Sequence, residues 1–185
     1  VIEVVYGKRQ LKRPAFHLTF DDGLSEFYDV VAPLLKRKGV SATNFLNNDF
    51  LDNKDMLFRL KTSLLIDHLH NASAGSKSWV VFHDWVQKYN FGHTYYRKLL
   101  LQLGQDDTPK LEELAASLGI EFKKWLRNKK PYMTTAQVKE LIDEGFTFGA
   151  HSCTHVDFRE LDIPQQLDEL KRSMEELVSM FGPGY

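Results

Sequence analysis

The feature that most constrains this chain is a strand that ends in two adjacent carboxylates and is followed by one helix and a second strand. Phe16, Leu18 and Phe20 alternate with Ala15, His17 and Thr19. That alternation predicts a strand over Ala15 to Phe20 that runs into Asp21, Asp22 and Gly23. A helix is expected from about Ser25 to Lys38, with Phe27, Val30, Val31, Leu34 and Leu35 as its buried stripe. Lys36, Arg37 and Lys38 complement the negative end of its dipole, and Pro33 predicts a kink or a late start. Gly39 closes it, and Ser41 to Leu46 reads as the second strand. A crossover through a single helix requires parallel pairing. The fold class is therefore α/β.

The same pattern returns near the other end. Thr134 and Gln137 have capping-box spacing, with Met133 and Val138 placed as a hydrophobic staple. Val138, Leu141 and Ile142 face inward, Gly145 ends the helix, and Phe146 to Ala150 forms a third strand that runs into His151-Ser-Cys-Thr-His155. A last helix starts near Asp162 to Pro164 and stops at Gly182, with Ile163, Leu167, Leu170, Met174 and Leu177 on one face. Between the second and third strands lies a connection far longer than an α/β crossover needs. Met56, Leu57, Leu60, Leu64 and Leu65 repeat in it at helical spacing, as do Leu111, Leu114, Ala115 and Leu118 after Thr108-Pro109. Residues 47–130 therefore read as a helical insertion between two pieces of one α/β domain, 1–46 and 131–185. The insertion leaves the active-site end of the second strand, so it is expected to wall the cleft, with Asn47 and Asn48 at the rim.

Composition narrows the class of function. Of 185 residues, 43% are apolar and 13 are Phe, enough for a substantial core and too many for a disordered chain. A net charge of -1 argues against a nucleic-acid or anionic-membrane partner, and no apolar run is long enough for a transmembrane segment. The single cysteine, Cys153, cannot form an internal disulfide. The chain opens at Val1 without a charged-then-apolar leader, so a signal peptide is expected to be absent or already removed.

Asp21 and Asp22 end a strand at the edge where parallel α/β folds place their active sites. Adjacent carboxylates there point different ways, so one can hold a cation while the other acts on a water. The competing reading is a helix N-cap with a spare acid at the positive helix end. His151 and His155 also follow a strand, and a four-residue spacing can bring both rings to one ion. Two unrelated loop histidines are the alternative. The conjunction favours a metal site, because both pairs sit at the same end of one parallel sheet and can converge. One carboxylate with two imidazoles leaves positions open for water and substrate.

Thr19-Phe-Asp-Asp-Gly23 and Gly149-Ala-His-Ser-Cys-Thr-His155 resemble the first two motifs of the polysaccharide deacetylases, the NodB-like enzymes of carbohydrate esterase family four. The likeness covers roughly residues 14–46 and 131–182. It implies an incomplete (β/α) barrel, here with a large helical insertion. It also implies removal of acetyl groups from N- or O-acetylated polysaccharide or oligosaccharide. The acid matching Asp21 would be the general base. Asp22, His151 and His155 would bind Zn²⁺ or another divalent transition metal, and a water held by that metal would attack the acetyl carbon. The family's third motif, resembling Arg-Pro-Pro-Tyr, and a later histidine acting as general acid have no match here. The chain is therefore expected to be truncated before the later strands, or to be an impaired relative. A non-catalytic carbohydrate-binding or scaffold protein that retains the site is the alternative function. Family resemblance alone points to the cell envelope or extracellular space.

Other histidines and aromatics are expected to be structural. His68 and His70 lie on an amphipathic helix, and His17 alternates with core residues. His83 and His93 stand amid Trp79, Phe82, Trp85, Tyr89, Tyr95 and Tyr96, where packing is a better reading than sugar stacking. Cys153 reads as an inert spacer. Haloacid-dehalogenase chemistry wants Asp-x-Asp rather than adjacent acids. Non-haem iron oxygenases share the two-histidine, one-carboxylate set, but the motif context argues otherwise.

Overall fold

The computed structural model describes residues 6–8, 10–11, 13–92 and 95–183, so His93 lies outside the described residues. The chain separates into two compact units, one of Val1–Asp52 with Pro131–Tyr185 and the other of Asn53–Lys130.

The first unit carries a three-stranded parallel sheet in the order β1 (Thr19–Asp21), β2 (Thr43–Leu46), β3 (Thr147–Ala150). Register aligns Phe20 with Asn44 and Phe148, and Asp21 with Phe45 and Gly149. Phe20 and Phe148 join a core with Phe27, Ala32, Leu35, Leu46, Val138, Leu141 and Leu177. Alternation along β1 then turns Asp21 to the opposite face from Phe20. The first strand is shorter than its apolar alternation suggests. Phe16 is 83% exposed and precedes the sheet, and His17 is exposed with its Nε2 3.0 Å from the Thr43 hydroxyl.

A π-helical turn, Phe27–Val31, runs into helix α1, Ala32–Lys38. The Ala32 N–H reaches back five residues to Phe27 O, immediately before Pro33, which has no N–H to give. The wider turn changes the register of the buried stripe. Phe27, Ala32 and Leu35 are buried, whereas Val30 and Leu34, expected inside, are exposed.

Helix α7, Thr135–Asp143, follows its sequence pattern closely. Thr134 Oγ1 accepts from the Gln137 N–H at 3.2 Å, and Gln137 Oε1 accepts from the Thr134 N–H at 2.8 Å. Asp52 and Met133 sit at the two ends of the interruption and are tied together. The Asp52 N–H donates to Met133 O at 3.1 Å, and the Thr135 N–H and hydroxyl each donate to the Asp52 carboxylate at 2.7 Å.

The last helix, α8 (Ile163–Phe181), has a capping box between Asp162 and Gln165. It corrects the expected stripe. Leu177 and Ser173 are buried, while Ile163, Leu167, Leu170 and Met174 are 71%, 61%, 43% and 57% exposed. The inward face is mostly polar and carries Glu169, Arg172, Ser173 and Glu176, which bond to residues 48–49 and 153–154.

The second unit is helical: α2 (Phe58–Asn71), α3 (Lys77–Lys88), α4 (Tyr96–Gln102), α5 (Thr108–Ser117) and α6 (Phe122–Lys129). Leu65, Leu69, Leu100, Leu111 and Leu114 are fully buried in it. Arg59 donates to Leu101 O and Leu103 O, which end α4. Phe82, Trp85 and Tyr96 are buried in ring-to-ring contact with their neighbours, in line with packing. His68 meets the Ser78 hydroxyl at 3.0 Å, and His70 and His83 line a cavity of about 540 Å³ with Trp79 and Tyr96. No helix among the described residues is long and apolar enough to cross a membrane.

Candidate metal centre

Parallel pairing carries β1 and β3 to the same sheet end, and the turns beyond them meet there. Asp22 Oδ1 lies 3.7 Å from His151 Nε2 and 3.5 Å from His155 Nε2. The imidazole centroids are 5.0 Å apart. These distances exceed a hydrogen bond. They approach the roughly 3.4 Å that separates two N or O donors held about 2.0–2.1 Å from one tetrahedral ion.

A second observation concerns the carboxylate itself. Asp22 Oδ1 is buried and has no hydrogen-bond partner. A buried carboxylate oxygen left so is costly. A cation bound beside the two imidazoles would satisfy it, so the donor set fits a divalent metal. The side chains of Asp22, His151 and His155 remain 27%, 37% and 35% exposed, which leaves the centre open to solvent.

Three of the non-glycine residues with positive φ belong to these turns: Asp22 at 69°, Ser152 at 63° and His155 at 56°. Each such conformation costs on the order of 1 kcal/mol or more and persists only where the surroundings impose it. The acid turn is imposed by residues 131–133. The Ser25 N–H donates to Pro131 O at 2.7 Å, the Met133 N–H donates to Gly23 O at 2.9 Å, and Leu24 bridges Tyr132. Gly23 is required twice over, since φ is +63° and a Cβ would come within 2.9 Å of Leu46 Cδ2.

The histidine turn is held from several sides. The His151 N–H continues the sheet to Leu46 O, and Asn47 Nδ2 donates to His151 O and Ser152 O. The Asp49 N–H donates to Cys153 O at 3.3 Å, and the His155 N–H donates to the Ser152 hydroxyl at 3.1 Å. Asn47 and Asn48 are thus not at a rim. They are 1% and 2% exposed, and Asn48 donates to Ser173 O and Glu176.

Asp49, Cys153 and Glu176 form another group with ligand-like spacing, but it already surrounds a cation. The Arg172 guanidinium reaches Cys153 Sγ at 3.1 Å, Asp49 at 3.3 Å and Glu176 at 4.0 Å. Burial pushes the Cys153 thiol up to about 11, against the pull of Arg172. Cys153 is therefore a protonated, buried spacer between the two histidines.

Asp21, the expected base, is exposed at the end of β1 and stays outside the Asp22–His151–His155 cluster. Glu169 and Arg172 carry no expectation from the sequence. The available signal for them is their spacing with Ser173 and Glu176 on one helical face.

The fold agrees with a solved relative. A Streptococcus pyogenes deacetylase, PplD, in complex with acetate, superposes with a TM-score of 0.51 at 17% identity, over 96% of this chain and 46% of that one. The chain thus spans about half the length of that structure. No curated protein matches its sequence. The family described as polysaccharide deacetylase matches residues 8–185. With strands, acid turn and histidine turn arranged as above, the chain belongs to the polysaccharide deacetylase family.

Proposed function

We propose that this chain carries the metal-binding half-site and the base of a hydrolase that removes acetyl groups from N- or O-acetylated polysaccharide or oligosaccharide. The observation that carries this reading is the unpartnered, buried Asp22 Oδ1 facing two imidazole nitrogens at 3.5 and 3.7 Å in a chain of this family. Asp22, His151 and His155 would hold Zn²⁺ or another divalent transition metal. When bound, such an ion acidifies water and polarises an acyl oxygen.

Asp21 is the residue of this chain suited to move the proton. It follows Phe20 on the strand that delivers Asp22, and strand alternation turns its side chain to the face opposite Phe20 and the core. As general base it would take a proton from the attacking water while the water oxygen bonds to the acetyl carbon. The proton then held by Asp21 is available to the leaving amine or alcohol, so water is added across the acyl bond with no proton lost. The hydrogen bonds that brace the two turns would keep His151, His155 and Asp22 together and limit reorganisation as charge develops on the acyl oxygen.

Acetate release from N-acetylated and O-acetylated oligosaccharides tests the reading. Release should depend on an added divalent metal, stop with a chelator and fall in Asp21→Asn. A chain that binds metal and oligosaccharide yet frees no acetate would overturn it, in favour of a non-catalytic carbohydrate-binding protein.

A further inference from the structure

Two of the three candidate ligands belong to one five-residue turn, so whatever fixes that backbone fixes the spacing of His151 and His155. The turn contains two non-glycine residues at positive φ, Ser152 and His155, and an unsupported backbone would relax from both. Its carbonyl side is held by Asn47, on His151 O and Ser152 O. Its amide side is held from a different element. The N–H groups of Cys153 and Thr154 converge on a single oxygen, Glu169 Oε2, at 2.9 and 3.1 Å.

Successive N–H groups beside left-handed residues form a concavity that binds anions. Here the anion is a side chain. Glu169 projects from the inward face of α8, is 14% exposed, and has Arg172 3.5 Å from its other oxygen. Arg172 also reaches Cys153 Sγ and Asp49. Helix α8 is therefore joined to the turn through a braced carboxylate.

We propose that Glu169 is a positioning residue for the metal centre, its carboxylate setting the geometry of the His151–His155 pair by accepting both amide protons. The inference rests on the metal-site reading and adds a residue outside the donor set. What matters in it is the reach of an acceptor to two N–H groups, and not the negative charge. Glutamine retains that reach without the charge. Aspartate retains the charge but falls short by a methylene.

The test measures Co²⁺ affinity by calorimetry and the visible Co²⁺ spectrum, which reports ligand geometry, for the unsubstituted chain and for Glu169→Gln, Glu169→Asp and Glu169→Ala. Far-UV circular dichroism of the metal-free proteins monitors folding. Expected is a loss of about 10–100-fold in affinity for Asp and Ala, the range for removal of a supporting hydrogen bond, with an altered spectrum. Gln should stay close to the unsubstituted chain in both. If Asp binds normally and Gln does not, charge is the agent and the proposal falls. It also falls if all three substituted chains bind Co²⁺ with unchanged affinity and spectrum. Should the Ala chain not fold, the Gln and Asp pair still decides. If the unsubstituted chain takes up no Co²⁺, the metal-site reading itself is wrong, and the positioning role goes with it.

Discussion

Gly149 and Phe45 pack with no room for another atom between them: a Cβ on Gly149 would lie 2.7 Å from two ring carbons of Phe45. The pair sits in the same sheet row as Asp21, with Gly149 two residues before His151. Gly149→Ala must push the ring or the strand aside. The expected cost is about 1–3 kcal/mol. Thermal unfolding should show a Tm lower by several degrees, and an unchanged Tm would mean that Phe45 swings away freely.

The cluster and its neighbouring acid should separate by mutation. Asp22→Ala and His155→Ala should weaken divalent-metal binding beyond the ~10–100-fold typical of losing a supporting hydrogen bond, because each removes a donor. Asp21→Asn should bind metal within a few-fold of the unsubstituted chain and lose about 10²–10⁴ in turnover. Calorimetry paired with acetate release distinguishes the two effects. Loss of metal in Asp21→Asn would exchange the roles of the two acids.

Helix α8 offers a test of its register. Leu177→Ala should cost about 2–5 kcal/mol, since Leu177 is fully buried. Leu167→Gln should stay within about 0.5 kcal/mol, since Leu167 is 61% exposed. Denaturant unfolding of both variants measures this. Equal costs would mean that the helix is rotated from the position described.

A pH effect is expected in the helical unit. Lys88 Nζ and Tyr89 Oη donate to Glu113 Oε2 at 2.5 and 2.8 Å, and these bonds, Lys88 foremost, hold the Glu113 carboxyl below the usual glutamate range. The folded value lies below the unfolded one. The contribution to stability is therefore complete above the unfolded pKa, about 4.3, and is lost as pH falls through the folded value. Carboxyl carbon NMR should show Glu113 titrating at lower pH than exposed glutamates, and Lys88→Met should raise it. Titration of Glu113 alongside exposed glutamates in the unsubstituted chain would remove the effect.

Much of this arrangement is legible in the sequence because it is local. Strand alternation followed at once by Asp21 and Asp22, or by His151, brings these candidate residues to one sheet end. The Thr134–Gln137 cap is visible as spacing alone. The misreadings have a common cause in the helices. An apolar stripe was equated with a buried face, which fails for Ile163, Leu167, Leu170 and Met174 on α8. Glu169 and Arg172, to which the sequence pattern gives no role, support the histidine turn from that helix. Around Pro33 a five-residue hydrogen-bonded turn moved the stripe by about one position, and no periodicity of 3.6 anticipates that. The sequence puts Asn47 at the cleft rim because its partners, His151 O and Ser152 O, are more than a hundred positions away.

The tie between Asp52 and the 133–135 segment bears on how such a protein changes over generations. The two points where the helical unit departs from and rejoins the sheet unit are fastened to each other within the sheet unit. Closing a long loop costs little more than closing a moderately long one, so the segment beyond the fastening can lengthen, shorten or be exchanged with small effect on the strands that deliver Asp22 and the histidines. The fastening works as a graft junction, at which a different segment could be joined while the strands and turns on either side keep their own hydrogen bonds.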